Sequence, residues 1–197
     1  HLSIRRQRQM CIRDSFSSVS VDDVAGGQMA VEHLISIGKR KIMFAGGPVK
    51  IQQISDRLDG AKKAAARVKN VSLEILKTKN LTVLEGRAVG EEILGRPVDK
   101  RPDAIFAAND LLALGIMQAL IVSPNVSIPK DIALVGYDDI SFAGSAIIPL
   151  TSIRQPSMLI GAQAVELLME ETEKSERSKP RQIVFQPELV VRGSTKS

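Results

Sequence analysis

Three short runs combine a backbone device with polar side chains able to hold a small polyol: Arg57-Leu-Asp-Gly60, Ile105-Phe-Ala-Ala-Asn-Asp110 and Val135-Gly-Tyr-Asp-Asp139. The second and third directly follow apolar, strand-like segments. In an open parallel sheet the carboxyl ends of the strands face the ligand crevice. Asn109 offers a donor and an acceptor, which suits a hydroxyl doing both jobs, and an ionised Asp138 can accept from two neighbouring hydroxyls. Arg57 supplies fixed, directional donors for ring and hydroxyl oxygens. It can also pair with Asp138 in an empty site, which would offset the cost of its burial. This is the chemistry of binding, and nothing in it prepares a reaction.

Each of these residues has a structural role to compete with. A helix starting after Ile105–Ala108 needs a cap, a short oxygen side chain that satisfies free backbone N–H groups. Asp110 is expected to provide it, leaving Asn109 for the ligand. Adjacent side chains in an extended segment point opposite ways, so one of Asp138 and Asp139 reaches a given ligand; Asp138 is the candidate, with a turn or cap as its competing role. Gly136 is expected to relax the backbone where the strand ends, and Gly60 to permit close packing beside Arg57. Two adjacent carboxylates could suggest Mg²⁺ or Ca²⁺, but an oxygen cage needs more ligands at set spacing, so no metal is expected. His33, between Glu32 and Leu34 in a helical segment, reads as a packed or surface histidine and not as a base. No nucleophile elbow, Walker loop or dinucleotide fingerprint is present. No catalytic residue and no cofactor are therefore expected.

A chain of 197 residues, 44% hydrophobic and 25% charged, has the composition of a globular protein with one good core or two small lobes. One Tyr, five Phe and no Trp argue against base-stacking single-strand binding. Arg5, Arg6, Arg8 and Arg13 against Asp14 supply most of the net charge of +5, so the basic balance belongs to the first residues and is not a nucleic-acid footprint. The one cysteine, Cys11, allows no disulfide within the chain, which fits a reducing compartment. No apolar run approaches the roughly 20 residues that span a bilayer, and no apolar segment of a secretory signal follows the basic start.

His1–Ser15 has neither helical nor strand periodicity. It reads as a disordered tail or, preferably, as a non-native segment to be kept out of fold reasoning. From Phe16 onward strand and helix alternate. Strands are expected at Phe16–Val21, Lys41–Gly46, Val71–Lys77, Ala104–Ala108 and Ile132–Val135, and a single closing strand over Gln182–Val191. Helices are expected from Val24 to a stop at Gly38, from an N-cap at Ser55 to Val68, over Leu84–Leu94, and after Asn109. Met158, Gly161, Ala162, Val165 and Leu168 make one further helix face. Gly136–Pro149 is irregular, and Glu170–Lys179 is a solvated helix end and loop. Repeated strand–helix units with short connections predict a doubly wound α/β fold with a parallel sheet.

Several runs in register resemble the effector-binding core of lactose-repressor-type (LacI/GalR) transcription regulators. They are Val19-Ser-Val-Asp-Asp23 with Ala30-Val-Glu-His-Leu34 and Gly38-Lys-Arg-Lys-Ile42, Gly46-Gly-Pro48, Arg57-Leu-Asp-Gly60, Arg101-Pro-Asp-Ala-Ile-Phe-Ala-Ala-Asn-Asp110 with Ala113-Leu-Gly115, Ile128-Pro-Lys-Asp-Ile132, Val135-Gly-Tyr-Asp-Asp-Ile140 and Pro149-Leu-Thr-Ser-Ile-Arg-Gln-Pro156. The match covers nearly all of residues 16–195. It implies a type I periplasmic-binding-protein-like fold of two α/β lobes, one near complete here and the other partial. Residues 16–197 would form a partial sugar-binding domain without the family's helix-turn-helix, and so with no DNA-reading residue. The resemblance places Arg57, Asn109 and Asp138 on effector-holding positions and Asp22 on the facing lobe. It makes Thr151–Pro156 a lobe-connecting hinge, with Ser152 where the family usually has a second Thr.

The implied protein is a cytoplasmic, homodimeric, sugar-responsive repressor. Its effector would be a sugar or nucleoside, and it would reach operator DNA through a domain outside this chain. A substrate-binding protein of a sugar ABC transporter shares the fold and would need a secretory start. An α/β enzyme would need a nucleophile–base pair or cofactor loop at a strand end, and neither is found.

Overall fold

The computed structural model describes residues 17–173 and 180–196. The first fifteen residues with Cys11, Phe16, and 174–179 of the expected Glu170–Lys179 loop lie outside the described residues. The chain divides into two compact units, one holding residues up to Asp22 with Pro156–Gln186, the other Asp23–Gln155 with Pro187–Ser197.

The larger unit is built on a six-stranded sheet. Its strands are β2 (Lys41–Ala45), β3 (Ser72–Leu76), β4 (Ala104–Ala107), β5 (Ala133–Asp138), β6 (Thr151–Arg154) and β8 (Glu188–Val190). Their spatial order is β3-β2-β4-β5-β6-β8, parallel throughout except for the antiparallel edge pair β6 and β8. Helices α1 (Asp23–Ser36), α2 (Gln52–Ala66), α3 (Val83–Gly95), α4 (Asp110–Ile121) and the short α5 (Ser141–Ser145) complete it.

Continuous apolar runs become central strands because both faces are covered. Ile42 and Phe44, Ala104 and Phe106, and Val135 and Tyr137 point to one face. There they bury against Ala30, Val31 and Leu34 of α1 and Ile54, Leu58 and Ala61 of α2. The alternate residues Met43, Ala45, Ile105, Ala107 and Leu134 point to the other face and meet Val89 and Ile93 of α3 and Leu112, Ile116 and Leu120 of α4. The period of two assigns every central residue to one of two cores.

On each face the two helices cross at glycines. A Cβ on Gly60 would overlap the Val24 carbonyl, and one on Gly27 would overlap the Arg57 carbonyl. On the far face Gly86 meets the Leu112 carbonyl and Gly115 the Val83 carbonyl in the same way. The sequence expectation for Gly60 is a close approach, and the helix backbones do touch there.

The smaller unit pairs β1 (Ser18–Val21) with β7 (Gln182–Phe185) in parallel and adds α6 (Ser157–Glu173). Leu167 is buried, whereas Met158, Val165 and Leu168 of the expected helix face are 85%, 58% and 62% exposed.

Four sequence expectations are corrected or refined. Gln182–Val191 is not one closing strand: it makes β7 in one unit and β8 in the other. The break falls at Pro187, which has no N–H for a ladder. Helix α2 starts at Gln52, with Ile51 at the cap position and no side-chain cap bond, so Ser55 lies inside the helix. The stretch Gly136–Pro149, expected to be irregular, carries the end of β5 and the short helix α5. Thr151–Arg154 of the expected hinge is strand β6, and the chain passes to the other unit after Gln155.

Overpacking a well-filled contact costs about 1–3 kcal/mol. Gly60→Ala is therefore expected to lower the unfolding free energy by about 3 kcal/mol in urea. The exposed helix residue Gly95 has nothing within 4 Å of a Cβ, and Gly95→Ala should be stabilising by about 0.5 kcal/mol. Equal effects of the two substitutions would refute the helix-contact explanation.

Candidate functional site at the carboxyl ends of the strands

The connection leaving β2 runs to β3 on one side, while that leaving β4 runs to β5 on the other. Such a switch of direction opens a crevice at the carboxyl ends of the two strands. Arg57, in the second turn of α2, reaches this point because the Gly27 and Gly60 contacts press α2 against α1.

Arg57 is 6% exposed. Its Nε donates to Asp23 Oδ1 at 2.8 Å and its Nη1 to the Ala108 carbonyl at 2.7 Å. The guanidinium carbon lies 3.6 Å from the centre of the Tyr137 ring. An ion pair, a carbonyl and a π-face thus replace the water that Arg57 loses. The expected pairing with Asp138 is present but longer, Nη2 to Oδ1 being 3.7 Å. The short partner is Asp23, 7% exposed in the first turn of α1. An acidic residue there reads in sequence as an ordinary helix-start charge, which concealed its role.

Asp138 and Asp139 have opposite partners. Asp138 Oδ1 accepts from Gln155 Nε2 at 2.6 Å. Burial pushes the Asp138 carboxyl up, against the opposing pull of Arg57 and Gln155. Asp139 accepts from Arg192 Nη1 at 2.6 Å and Arg154 Nε at 2.7 Å. Burial alone would raise its pKa, but these two guanidinium groups hold it below the usual carboxylate value. The backbone φ is +103° at Asp138 and +50° at Asp139. Consecutive left-handed residues other than glycine cost of order 1–3 kcal/mol each and persist only where their surroundings fix them.

The expected division between Asn109 and Asp110 is reversed. Asn109 is the N-cap: its Oδ1 accepts from Leu112 N at 2.9 Å, while its Nδ2 donates to the Leu81 carbonyl at 3.2 Å. Asp110 is fully buried and accepts from the Ser152 hydroxyl at 2.6 Å and the Ile140 N–H at 2.8 Å. Burial pushes its carboxyl up to about 6. Gly136 is required for clearance, since a Cβ there would overlap Asp110 Oδ1; its φ is not positive. The type of residue was legible, but not the carboxylate stacked upon it.

Arg57, Asp138 and Asn109 thus meet at one end of one sheet, Asn109 through its neighbour Ala108. Asp22 belongs to the other unit, where its N–H donates to the Phe185 carbonyl at 2.9 Å. Gln155, Tyr137 and Ser152 were not singled out by sequence as site residues. Gln155 and Ser152 gave no signal beyond their place in the hinge run. His33 is half-buried with Nε2 2.8 Å from Thr195 Oγ1, which in turn lies 2.8 Å from Thr151 Oγ1. Burial lowers its pKa, and this network anchors the C-terminal segment to β6. Among the described residues no cluster of three His, Cys, Asp or Glu could hold a metal ion, and no helix is long and apolar enough to cross a membrane.

Removing one partner of a buried ion pair costs about 3–5 kcal/mol. Asp23→Ala is expected to lower stability by about 3 kcal/mol, because it leaves the more distant Asp138, at 3.7 Å, as the carboxylate paired with the buried Arg57 charge. Urea unfolding of Asp23→Ala, Arg57→Met and the double variant would check this. Additive losses would show that the two residues are not coupled.

Comparison with known proteins agrees with this fold. Residues 31–195 match the family model of the periplasmic binding protein-like domain. The arabinose metabolism transcriptional repressor of Geobacillus stearothermophilus is 36% identical over 184 residues, 90% of this chain and 49% of that protein. The transcriptional regulator CelR–cellobiose complex superposes with a TM-score of 0.82 at 33% identity, over 92% of this chain and 54% of that one. The lac repressor dimer bound to operator and the anti-inducer ONPF gives 0.80 at 27% identity, over 93% and 54%. The chain spans about half the length of the curated relatives it matches.

Proposed function

Because the chain belongs to the periplasmic-binding-protein-like domain family, in the form carried by LacI-type transcription regulators, we propose that it is the effector-binding portion of a sugar-responsive repressor. The observation that carries the reading is the cluster of Arg57, Asp138 and Gln155 at the carboxyl end of a sheet with a direction switch. The contacts of Arg57 and Gln155 fall on Oδ1 of Asp138, leaving Oδ2 to accept from ligand hydroxyls. Asn109 spends one lone pair and one N–H on capping and on Leu81; an amide has a second of each to offer. Arg57 contributes its charge and holds Asp138 in place.

The effector is a sugar. Phe44, Phe106 and Tyr137, the aromatics of the larger sheet, are all fully buried and offer no face for stacking a purine, which leaves Phe142 of α5 as the exposed aromatic of the larger unit. Residues 16–197 act as the effector domain and residues 1–15 take no part. The protein works as a cytoplasmic homodimer and meets operator DNA through a segment outside this chain. It has no catalytic role and no cofactor. The effector controls DNA binding by favouring one arrangement of the units over another.

Titration calorimetry of the chain with arabinose, ribose, cellobiose and hypoxanthine tests the reading. Saturable binding of a sugar is expected, and Asp138→Asn should weaken it by about 10- to 100-fold, the worth of a charge-assisted hydrogen bond. Unchanged affinity in Asp138→Asn would defeat the site, and binding of hypoxanthine alone would defeat the sugar assignment.

A further inference from the structure

We infer that Asp110 is a positioning residue: its buried carboxylate sets the left-handed Asp138–Asp139 turn, and through it the affinity of the site. The affinity clause rests on the effector reading above; the conformational clause does not.

The argument is geometric. Strand register puts Ser152 opposite Gly136. Gly136 leaves the space that Asp110 Oδ1 occupies, and the Ser152 hydroxyl donates to that oxygen at 2.6 Å. The same hydroxyl accepts from the Asp139 N–H at 3.1 Å. The other oxygen, Oδ2, accepts from the Ile140 N–H at 2.8 Å. One carboxylate thus fixes the two backbone amides that follow Asp138, one directly and one through a hydroxyl. Those amides bound a turn whose φ values of +103° and +50° need outside support. Arg154 and Arg192 hold the Asp139 side chain, but the backbone amides depend on Asp110. Asp110 has no exposure to solvent, so it acts through the turn and not by touching ligand.

A neutral group at position 110 can accept from one of these donors and must offer a proton where the carboxylate offers a lone pair. The ionised form is therefore the one that matches both donors. Burial raises its pKa to about 6, with Asp138 and Asp139 as the like charges facing it. Asp138 faces Arg57 and Gln155, and Asp139 is neutralised by Arg154 and Arg192. Because the folded value lies above the ordinary one, the contribution of this group to stability is full at low pH and lost as pH rises through about 6. Order in the turn runs the other way, gained as the carboxylate ionises.

The test follows the backbone amides of the ¹⁵N-labelled full chain between pH 4 and 8. The Ile140 amide proton should titrate with a midpoint near 6, persist in Asp138→Asn and vanish in Asp110→Asn. With whichever of arabinose, ribose or cellobiose binds the wild type, Asp110→Asn and Ser152→Ala should each weaken binding by about tenfold at pH 8, whereas Ser152→Thr, which keeps the hydroxyl, should restore it. A merely structural role would lower the thermal midpoint without moving the Ile140 titration. Unchanged Asp138, Asp139 and Ile140 resonances in Asp110→Asn would overturn the inference, as would an altered turn with unchanged affinity. If none of the three sugars binds, the effector reading fails while the Ile140 titration still decides whether Asp110 sets the turn.

Discussion

Burying the charge of Arg57 is the constraint on which the rest of the site depends. A guanidinium deprived of water needs directional acceptors, and this fold supplies them from three separate places in the chain: the Asp23 carboxylate, the Ala108 carbonyl and the Tyr137 ring. Each arrives by a different route. Asp23 comes with the start of α1, Ala108 directly follows β4, and Tyr137 is the last buried residue of β5 on the same face. The helix contact at Gly27 and Gly60 is what lets α2 carry Arg57 close enough to meet all three. Asp138 is then drawn to a charge that is already satisfied, at 3.7 Å instead of 2.8 Å, and keeps the freedom to bind something else.

The two adjacent carboxylates show how one backbone turn separates two tasks. Asp139 faces two guanidinium groups and stays ionised, its side chain 6% exposed. Asp138 is less fully compensated, with burial raising its pKa and 32% of its side chain exposed. A carboxylate locked between two cations has little to offer a neutral polyol. Its neighbour, held by one amide and one distant cation, gains more from added hydroxyl donors. The left-handed backbone is the means by which neighbours in sequence come to occupy such different surroundings.

Much of this was legible in the sequence. The doubly wound parallel sheet followed from apolar runs bounded by turn residues, because strands covered on both faces leave that signature. Asn109 and Asp138 were singled out from residue type and position after strands, and Arg57 from its place at a helix start beside Gly60; the structure brings Arg57 and Asp138 to 3.7 Å. The hidden part was every feature decided by depth. Asn109 and Asp110 both cap well in principle, and sequence ranks them by propensity; the packing of Asp110 over Gly136 decides the matter. Asp23 carries an ordinary helix-start signal and an extraordinary partner. Gln182–Val191 reads as one strand since its apolar alternation survives the break at Pro187, although the two halves join different sheets. Helix α2 begins without a side-chain cap, so its true start left no mark to read.

The paired glycine crossings bear on how the larger unit moves. Side-chain-to-side-chain helix contacts yield by rotamer changes, and a push at one end is absorbed within a few residues. Contacts between bare backbones, at Gly27 and Gly60 on one face and Gly86 and Gly115 on the other, have no rotamers to change. On each face of the sheet the two helices are therefore joined to each other by contacts without slack. The three places where the chain passes between the units, before Asp23, after Gln155 and before Pro187, lie outside these backbone contacts. Two of those three places begin or end on residues that touch Arg57 or Asp138.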